Sequence, residues 1–458
     1  MTSQKQSQLT NEILQGNLIK LMFKLSTPAI LGMLLISLNT FVDALFAGRL
    51  IGETAIAGIS LASPLTSIIG GSALFIGIGS ASILSRAIGS GDIKTQSKIF
   101  GNFIVMAVVI SFFITSTGYS FSEELIVFMG GSGEVASAGA EYFKIYVLGS
   151  VFFVIAIGSS QIIKSEGRIR LATIFSGISV IINIVLNVIF ISIFHWGIKG
   201  IALATVIAMF IYSIVNLIYF FSGKSSITVN PKKIFIAIDL LKDILLVGIS
   251  ELLTPIINLI QSFVVFKSIS HYGIHSDIAF FGATETLISL VLILLNGFVQ
   301  ASQPVMGINY GARNYDRLKK AYLSFVISGT IFFTLLWLPL QLSPKTFLSW
   351  ILPDFIFTNH DLLNFRILIL LIPVMPFISL AVILFQSLGK GKVIVTILIL
   401  RSFVLFIPLV LILSKIMGVS GIYQGMVITD FIILLIAIIL IAREFKHFSK
   451  MQVKNLVF

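Results

Sequence analysis

The chain has 458 residues, of which 57% are hydrophobic and only 11% charged, whereas an ordinary soluble domain carries about 25% charged residues. This composition excludes a soluble globular protein and predicts an integral membrane protein. The chain contains no cysteine, which excludes disulfides and thiolate metal sites. Its net charge of +12 is of the kind that nucleic-acid-binding proteins carry, so the distribution of that charge along the chain matters.

Twelve stretches of the chain are apolar and long enough to cross the hydrocarbon of a bilayer, which takes about 20 helical residues. They lie at 18–48, 55–86, 99–119, 141–164, 170–193, 200–222, 241–269, 278–310, 319–342, 365–388, 393–415 and 421–442. The polar segment before them, 1–17, has no signal-peptide pattern. We therefore predict an all-α polytopic membrane protein with twelve transmembrane helices.

The Lys and Arg residues are distributed unevenly between the two sides of these spans. With the N-terminus in the cytoplasm, 23 of them fall in cytoplasmic segments and 4 in outer loops. Cytoplasmic loops of membrane proteins are enriched in Lys and Arg. The distribution predicts that both termini are cytoplasmic, and it explains the net charge without a nucleic-acid partner.

The two halves of the sequence resemble each other when it is shifted by 222 residues. IAGISLASPLTS (56–67) then falls on IAFFGATETLIS (278–289), and KSEGRIR (164–170) falls on QSLGKGK (386–392). Because each half holds six spans, both halves start on the same side of the membrane. Parallel repeats of this kind are typical of transporters that move one half against the other, with the substrate bound between them near the midplane.

This repeat divides the chain into two pseudo-symmetric six-helix bundles. The predicted segments are a cytoplasmic N-terminal segment (1–17), the N-terminal bundle (18–222), a cytoplasmic linker (223–240), the C-terminal bundle (241–445) and a cytoplasmic tail (446–458).

Asp43 lies inside the first span, in NTFVDALFAGRL (39–50). It precedes Arg49 by six residues, which places it about 9 Å below the outer end of its helix. An ionised carboxylate in hydrocarbon costs at least about 2.5–3.5 kcal/mol and by default indicates a functional site. Asp43 is therefore a candidate for loading and releasing a proton as the site alternates; the alternative is a structural pair with a neighbouring polar group.

Two asparagines of the fifth span, Asn183 and Asn187, are four residues apart and share one helix face. Each can orient Asp43 or a water molecule; the alternative is that they only join helices by hydrogen bonds. Thr205 of the sixth span is a weaker candidate, because a threonine in a membrane helix commonly bonds its own backbone.

The second half has Val265 at the position equivalent to Asp43, so the two halves are not functionally equivalent. Its own intramembrane carboxylates are candidates for binding a cationic substrate, and Glu285 is the strongest of them; the alternative for Glu285 is a pair with Arg401. The remaining substrate-binding candidates are Glu251, Asp430, Asn258 and Gln300.

Two further patterns have ordinary explanations. The glycines of the second span (Gly70, Gly71, Gly77 and Gly79) lack the ending of a phosphate loop and predict close helix packing. His271 and His275 have a zinc-like spacing but fall in what reads as a short outer loop. We expect no metal site and no catalytic constellation.

Several motifs, in this order, resemble the multidrug and toxic compound extrusion (MATE) family of transporters. After Pro28 and NTFVDALFAGR, the matching stretches are LSRAIGSGD (84–92), IIKSEGRIRLA (162–172), INIVLNVIFI (182–191), WGIKGIALATVIA (196–208), QPVMGINYGARNYDRLKKA (303–321) and QSLGKGK (386–392). The resemblance runs from about residue 18 to 445. The Q-P-x-x-G-x-N-Y-G-A stretch is closest to the bacterial branch that includes multidrug exporters of Gram-positive bacteria.

The resemblance implies an antiporter whose two bundles open alternately to the two sides. A proton or sodium ion flows in while an organic, often cationic, compound is expelled. Some members carry a cation site in the N-terminal bundle, and Asp43, Asn183, Asn187 and Thr205 occupy its positions here. The family pattern has Asp where this chain has Asn187. With one carboxylate left, we predict coupling to H+ rather than Na+.

The resulting prediction is a multi-pass, monomeric plasma-membrane antiporter that exports small organic cations and needs no cofactor. An alternative is a flippase for lipid-linked oligosaccharides from the same superfamily, whose cavity would be rich in Arg and Lys. A membrane enzyme would need a nucleophile or metal cluster that the sequence does not offer. A channel is disfavoured by the duplication with a carboxylate on one side only.

Overall fold

The computed structural model describes residues 2–227, 229 and 236–456, and within these ranges every regular element is a helix. The helices are α1 (Thr2–Gln15), α2 (Leu18–Phe46), α3 (Glu53–Ser90), α4 (Ile93–Ser120), α5 (Ser122–Phe128), α6 (Gly133–Leu148), α7 (Ser150–Ser165), α8 (Ile169–Asn187), α9 (Gly197–Phe221), α10 (Ile238–Tyr272), α11 (His275–Gln300), α12 (Ser302–Gly311), α13 (Tyr315–Leu342), α14 (Pro344–Leu348), α15 (Asn359–Leu368), α16 (Met375–Ser387), α17 (Gly391–Ile399), α18 (Ile407–Met417) and α19 (Val419–Leu456). The predicted all-α class is confirmed.

The predicted number of spans is also confirmed. Eleven helical stretches of the described chain are long and apolar enough to cross a membrane, and the pair α6–α7 makes twelve when it counts as one bent span. These two helices meet at 59°. The bend falls at Gly149, which packs against the side chain of Val206 and, having no Cβ, weakens the helix at this point.

Three spans contain a widened, π-helical turn. Such turns follow α2 at Ala47–Ile51, α8 at Val188–Ile193 and α17 at Leu400–Phe406. The first comes one turn after Asp43 and the second directly after Asn187. Single π-turns inside α-helices occur frequently at functional sites.

Both described ends of the chain lie at the same end of the helix bundle. Arg317, in the first turn of α13, donates to the carbonyl of Ile13 in α1 (2.8 Å). Tyr315 stacks on Phe448 near the end of α19, with ring centroids 5.1 Å apart. We call the end that contains α1 and the α12–α13 turn the proximal face, and the opposite end the distal face.

Small residues let the two halves of the bundle approach closely near the proximal face. A Cβ at Gly79 would overlap the carbonyl oxygen of Ile244, and one at Gly89 would overlap that of Ile308. Gly71 and Gly77 are also packed, against α10 and α7 respectively, whereas a Cβ at Gly70 would meet no atom within 4 Å. Close packing by the glycines of α3 is thus confirmed at three of the four positions.

Hydrogen bonds join the halves in the same region. Gln303 Nε2 donates to the carbonyl of Ala81 (3.3 Å) and to Ser85 Oγ (3.1 Å). Ser82 donates to the carbonyl of Gln386, and Lys98 forms an ion pair with Asp239 at 2.7 Å. The proximal face of the interface between the halves is therefore closed.

The predicted linker, 223–240, is only partly described, because residues 228 and 230–235 lie outside the described residues. Its beginning is anchored to the first half by Glu166. This fully buried carboxylate accepts from the backbone N–H of Ser226 (2.9 Å) and from the Ser226 hydroxyl (2.8 Å). The linker ends where α10 begins, at Ile238.

Candidate functional site

A cavity of about 530 Å³ lies inside the first half of the bundle. Helices α2, α3, α6, α7, α8 and α9 line it, and α11 contributes Gln300 at its edge. The charged residues of its lining are one carboxylate, Asp43, and one ammonium, Lys164. The cavity thus contains the residue that the sequence singled out first.

The Asp43 carboxylate is held by amides. Asn187 Nδ2 donates to Asp43 Oδ1 at 2.6 Å, and Asn39 Nδ2 donates to Asp43 Oδ2 at 3.3 Å. Asn39 lies one turn before Asp43 on α2, while Asn187 comes from the last turn of α8. The carboxylate therefore bridges two helices, and it makes no ion pair with a described basic residue.

Asn183 and Thr205 extend this network. Asn183 and Asn187 are both buried and are joined by a 3.0 Å hydrogen bond. Amide orientations have to be assigned from hydrogen bonding, and turning the Asn183 amide by 180° gives the better pattern. In that orientation its nitrogen donates to Asp43 Oδ1 (3.0 Å) and Asn39 Oδ1 (3.1 Å), and its oxygen accepts from Thr205 Oγ1 (3.1 Å). All four residues predicted from the sequence therefore meet in one cluster.

The local sequence explains how this cluster forms. Asn183 and Asn187 are adjacent on one face of α8 because they are four residues apart. Thr205 Oγ1 also donates to the carbonyl of Ile201 (2.9 Å), so Thr205 makes the backbone bond that the sequence allowed as an alternative. Asn39 was quoted only as part of a motif, although its four-residue spacing from Asp43 was a signal for a contact.

Sequence reasoning missed Lys164 as a cavity residue. Its ammonium donates to Gln300 Oε1 at 3.2 Å, and this bond joins α7 of the first half to α11 of the second. Lys164 was counted among the cytoplasmic charges because it ends an apolar run, which leaves the direction of the side chain undetermined. Gln300, a predicted substrate residue, is thus a contact between the halves at the proximal end of the cavity.

The acidic candidates of the second half lie apart from this cluster. Glu285 is exposed and makes no hydrogen bond or ion pair with any described residue. The alternative pairing of Glu285 with Arg401 is not found, because Arg401 forms an ion pair with Asp430 at 2.9 Å. Glu251 accepts from Gln386 Nε2 at 2.8 Å, and Asn258 is exposed on α10.

The two histidines with zinc-like spacing do not share a loop, as the sequence had indicated. His271 lies in the last turn of α10 and His275 begins α11, on opposite sides of the break at Gly273. Helical structure continues closer to the break than expected, so the connection between the two spans is very short. Within the described residues, no group of three His, Cys, Asp or Glu side chains is arranged to hold a metal ion.

Comparison with known proteins places this fold in a family. The MatE family model matches residues 28–189 and 248–412, one match in each half. The multidrug export protein MepA of Staphylococcus aureus (strain N315) is 26% identical over 315 residues, which cover 68% of this chain and 69% of the relative. MepA of Staphylococcus saprophyticus is 26% identical over 321 residues, with 68% and 70% covered.

Solved structures share the whole architecture. A crystal structure of MATE in the bent conformation matches with a TM-score of 0.91 and 22% identity, over 97% of this chain and 99% of the other. An outward-facing multidrug resistance MATE family transporter matches with a TM-score of 0.87 and 22% identity, over 96% and 98%. Two family matches, one in each six-helix half, and this shared fold lead to one conclusion: the chain is a multi-pass membrane protein of the MatE family of multidrug efflux transporters, and not an enzyme.

Proposed function

We propose that this protein is a secondary active antiporter that exports organic cations in exchange for protons by alternating access of its two six-helix bundles. The observation that carries this proposal is the Asp43 carboxylate, which lines a membrane-embedded cavity and is held by amides instead of a basic partner. Relatives named as multidrug export proteins support small organic substrates. No comparison favours the flippase alternative.

The moving units are the bundles 18–222 and 241–445. The excess of Lys and Arg in the proximal segments assigns the proximal face to the cytoplasm. Because that face is closed by the glycine contacts of α3, the conformation described here is the one that faces outward. In the opposite conformation the contacts at Gly79 and Gly89 must separate.

The proton is the ion that the Asp43 cluster suits best. The 2.6 Å separation between Asp43 and Asn187 is short for an N–H···O bond and typical of an O–H···O bond. An amide can donate to a carboxylate through its nitrogen, or accept from a carboxylic acid through its oxygen after a 180° turn. Asn187 can therefore bond Asp43 in both protonation states, which an aspartate at the same position could not do while ionised.

Sodium is less well served by the same residues. It needs several hard oxygen ligands, preferably with anionic charge. The cluster offers one carboxylate and the neutral oxygens of Asn183, Asn187 and Thr205. A second carboxylate in place of Asn187 would supply the missing charge.

Cationic substrates have a candidate partner in Glu285. Its carboxylate is exposed and free of described ion pairs, unlike that of Asp430, which Arg401 neutralises. Under the 222-residue shift, Glu285 corresponds to Ser63, which lines the cavity of the first half. Glu251, Asn258 and Gln300 remain candidates for the same substrate path between the bundles.

Transport from vesicles under separately imposed gradients tests this function. The purified protein is reconstituted, a fluorescent organic cation is loaded, and its efflux is measured under a pH gradient in sodium-free buffer. We expect a pH gradient alone to drive efflux. Efflux that fails there and returns with a sodium gradient at fixed pH would contradict proton coupling. Failure under both gradients would contradict antiport.

A further inference from the structure

We propose that α1 is a latch that holds the cytoplasmic side of the transporter closed, and that Arg317 fastens it. The proposal rests on the alternating access proposed above, but not on the identity of the ion or the substrate. The sequence had given 1–17 only as a polar cytoplasmic segment. In the structure most of this segment forms a helix that contacts both halves of the bundle.

The second half grips the C-terminal end of α1. Arg317 Nε donates to the carbonyl of Ile13 (2.8 Å), and Arg317 Nη2 donates to the carbonyl of Gly16 (2.5 Å). Asn309 of α12 adds a longer bond to the carbonyl of Ile13 (3.4 Å). The last carbonyls of a helix have no partner within it, and a cation there is favoured by the helix dipole. The guanidinium of Arg317 therefore caps a helix that belongs to the other half of the chain.

The first half holds the same helix by packing and by the chain itself. Ile13 is completely buried. A Cβ at Gly167, in the α7–α8 turn, would lie only 2.9 Å from Ile13 Cδ1 and 3.2 Å from Leu9 Cδ2. Glu12 also forms an ion pair with Lys24 of α2 at 2.6 Å. Since α2 begins at Leu18, directly after α1, the helix cannot move far from the first half.

These two sets of contacts cannot both survive opening of the proximal face. Opening separates the α12–α13 turn, which carries Arg317, from the α7–α8 turn, which carries Gly167. Either the bonds of Arg317 break or the burial of Ile13 is lost. The latch therefore stabilises the outward-facing conformation relative to the inward-facing one, and loosening it should raise the population that is open to the cytoplasm.

Cysteine labelling measures that population directly, because the natural chain has no cysteine. Ser85 is a suitable reporter position: it is completely buried, and it accepts from Gln303 of the second half across the closed interface. The variant Ser85→Cys is purified in detergent, and the rate of its modification by a maleimide is measured. In this background Arg317→Gln should raise the rate about tenfold, the order expected for loss of one charge-assisted hydrogen bond.

Lys320→Gln is the matched control. It removes one positive charge from the same helix, and the Lys320 side chain is exposed and has no bond to α1. Its labelling rate should equal that of the reporter protein. Ile13→Ala loosens the other side of the latch and should raise the rate while Arg317 is intact. This variant keeps the test decisive if Arg317→Gln does not yield folded protein.

The outcomes separate this proposal from the function on which it rests. An imposed pH gradient across proteoliposomes should change the labelling rate of the reporter protein if the bundles alternate. If the gradient changes the rate but Arg317→Gln and Ile13→Ala both label like Lys320→Gln, the latch is overturned and alternating access stands. If neither the gradient nor any variant changes the rate, alternating access is overturned together with the latch.

Discussion

Asn187 contacts Asp43 across the boundary between α8 and α2, with its amide nitrogen 2.6 Å from Oδ1. The two residues are 144 positions apart in the chain, and each is followed within one turn by a π-helical segment. This contact is the centre of the proposed ion site. Its chemistry makes definite predictions about each partner.

Asp43→Asn should abolish coupled export without preventing insertion. The amide is close in size to the carboxylate and can still bond Asn187, but it cannot take up or release a proton. The measurement is efflux from proteoliposomes under a pH gradient, with expression and monodispersity as the controls for folding. Gradient-driven efflux at the normal rate would refute a coupling role for Asp43.

Asn187→Asp should make transport responsive to sodium. The change adds a second carboxylate beside Asp43 and so supplies the ligand charge that a sodium site favours. Efflux is measured under a sodium gradient at fixed pH. Asn187→Ala serves as control, because it removes the contact without adding charge. The idea fails if the Asp variant responds to sodium no better than the Ala variant.

Glu285→Gln should weaken cationic substrates by about 5–30-fold, which corresponds to about 1–2 kcal/mol for a partly desolvated charge partner. Neutral substrates should change little. Ser289→Ala is a matched control, since Ser289 lies one turn further along α11 and is also exposed. Binding of a cationic and a neutral compound to each variant is the measurement. Equal losses for both compounds would indicate a structural role instead.

Gly79→Ala should block transport by preventing closure of the proximal face. A methyl group there would overlap the carbonyl oxygen of Ile244 on α10, and backbone cannot move aside as a flexible side chain can. Gly70→Ala provides the comparison on the same helix, because a Cβ at Gly70 meets nothing within 4 Å. We expect transport to be lost in the first variant and kept in the second. Normal transport by Gly79→Ala would show that α3 and α10 need not approach so closely.

Much of the fold could be predicted because the bilayer imposes a length on every span. The twelve apolar stretches gave the helices to within several residues, and the 222-residue repeat related the two halves. The main departure is the bend at Gly149, where one predicted span is two helices meeting at 59°. A single glycine within an apolar run does not by itself indicate whether a helix will bend.

The candidate site was predicted less completely, because it depends on which side chains from distant helices meet. Asp43, Asn183, Asn187 and Thr205 were found through a motif and a four-residue spacing. The ion pair of Arg401 with Asp430 joins residues 29 positions apart on separate helices, and only the packing of those helices reveals it. Lys164 and α1 were missed for a related reason: polar residues at the end of a span read as cytoplasmic whether they face water or another helix.

The single carboxylate in the cavity lining also fixes the stoichiometry that this site can support. Asp43 can carry one proton inward per cycle, so exchange for one monovalent organic cation moves no net charge across the membrane. Such an exchange is electroneutral: the pH difference drives it, and the membrane potential contributes nothing. Export of a divalent cation through the same cycle would move one positive charge outward, against a potential that is negative inside. A chain with one exchangeable proton should therefore handle monocations and dications very differently in energised cells.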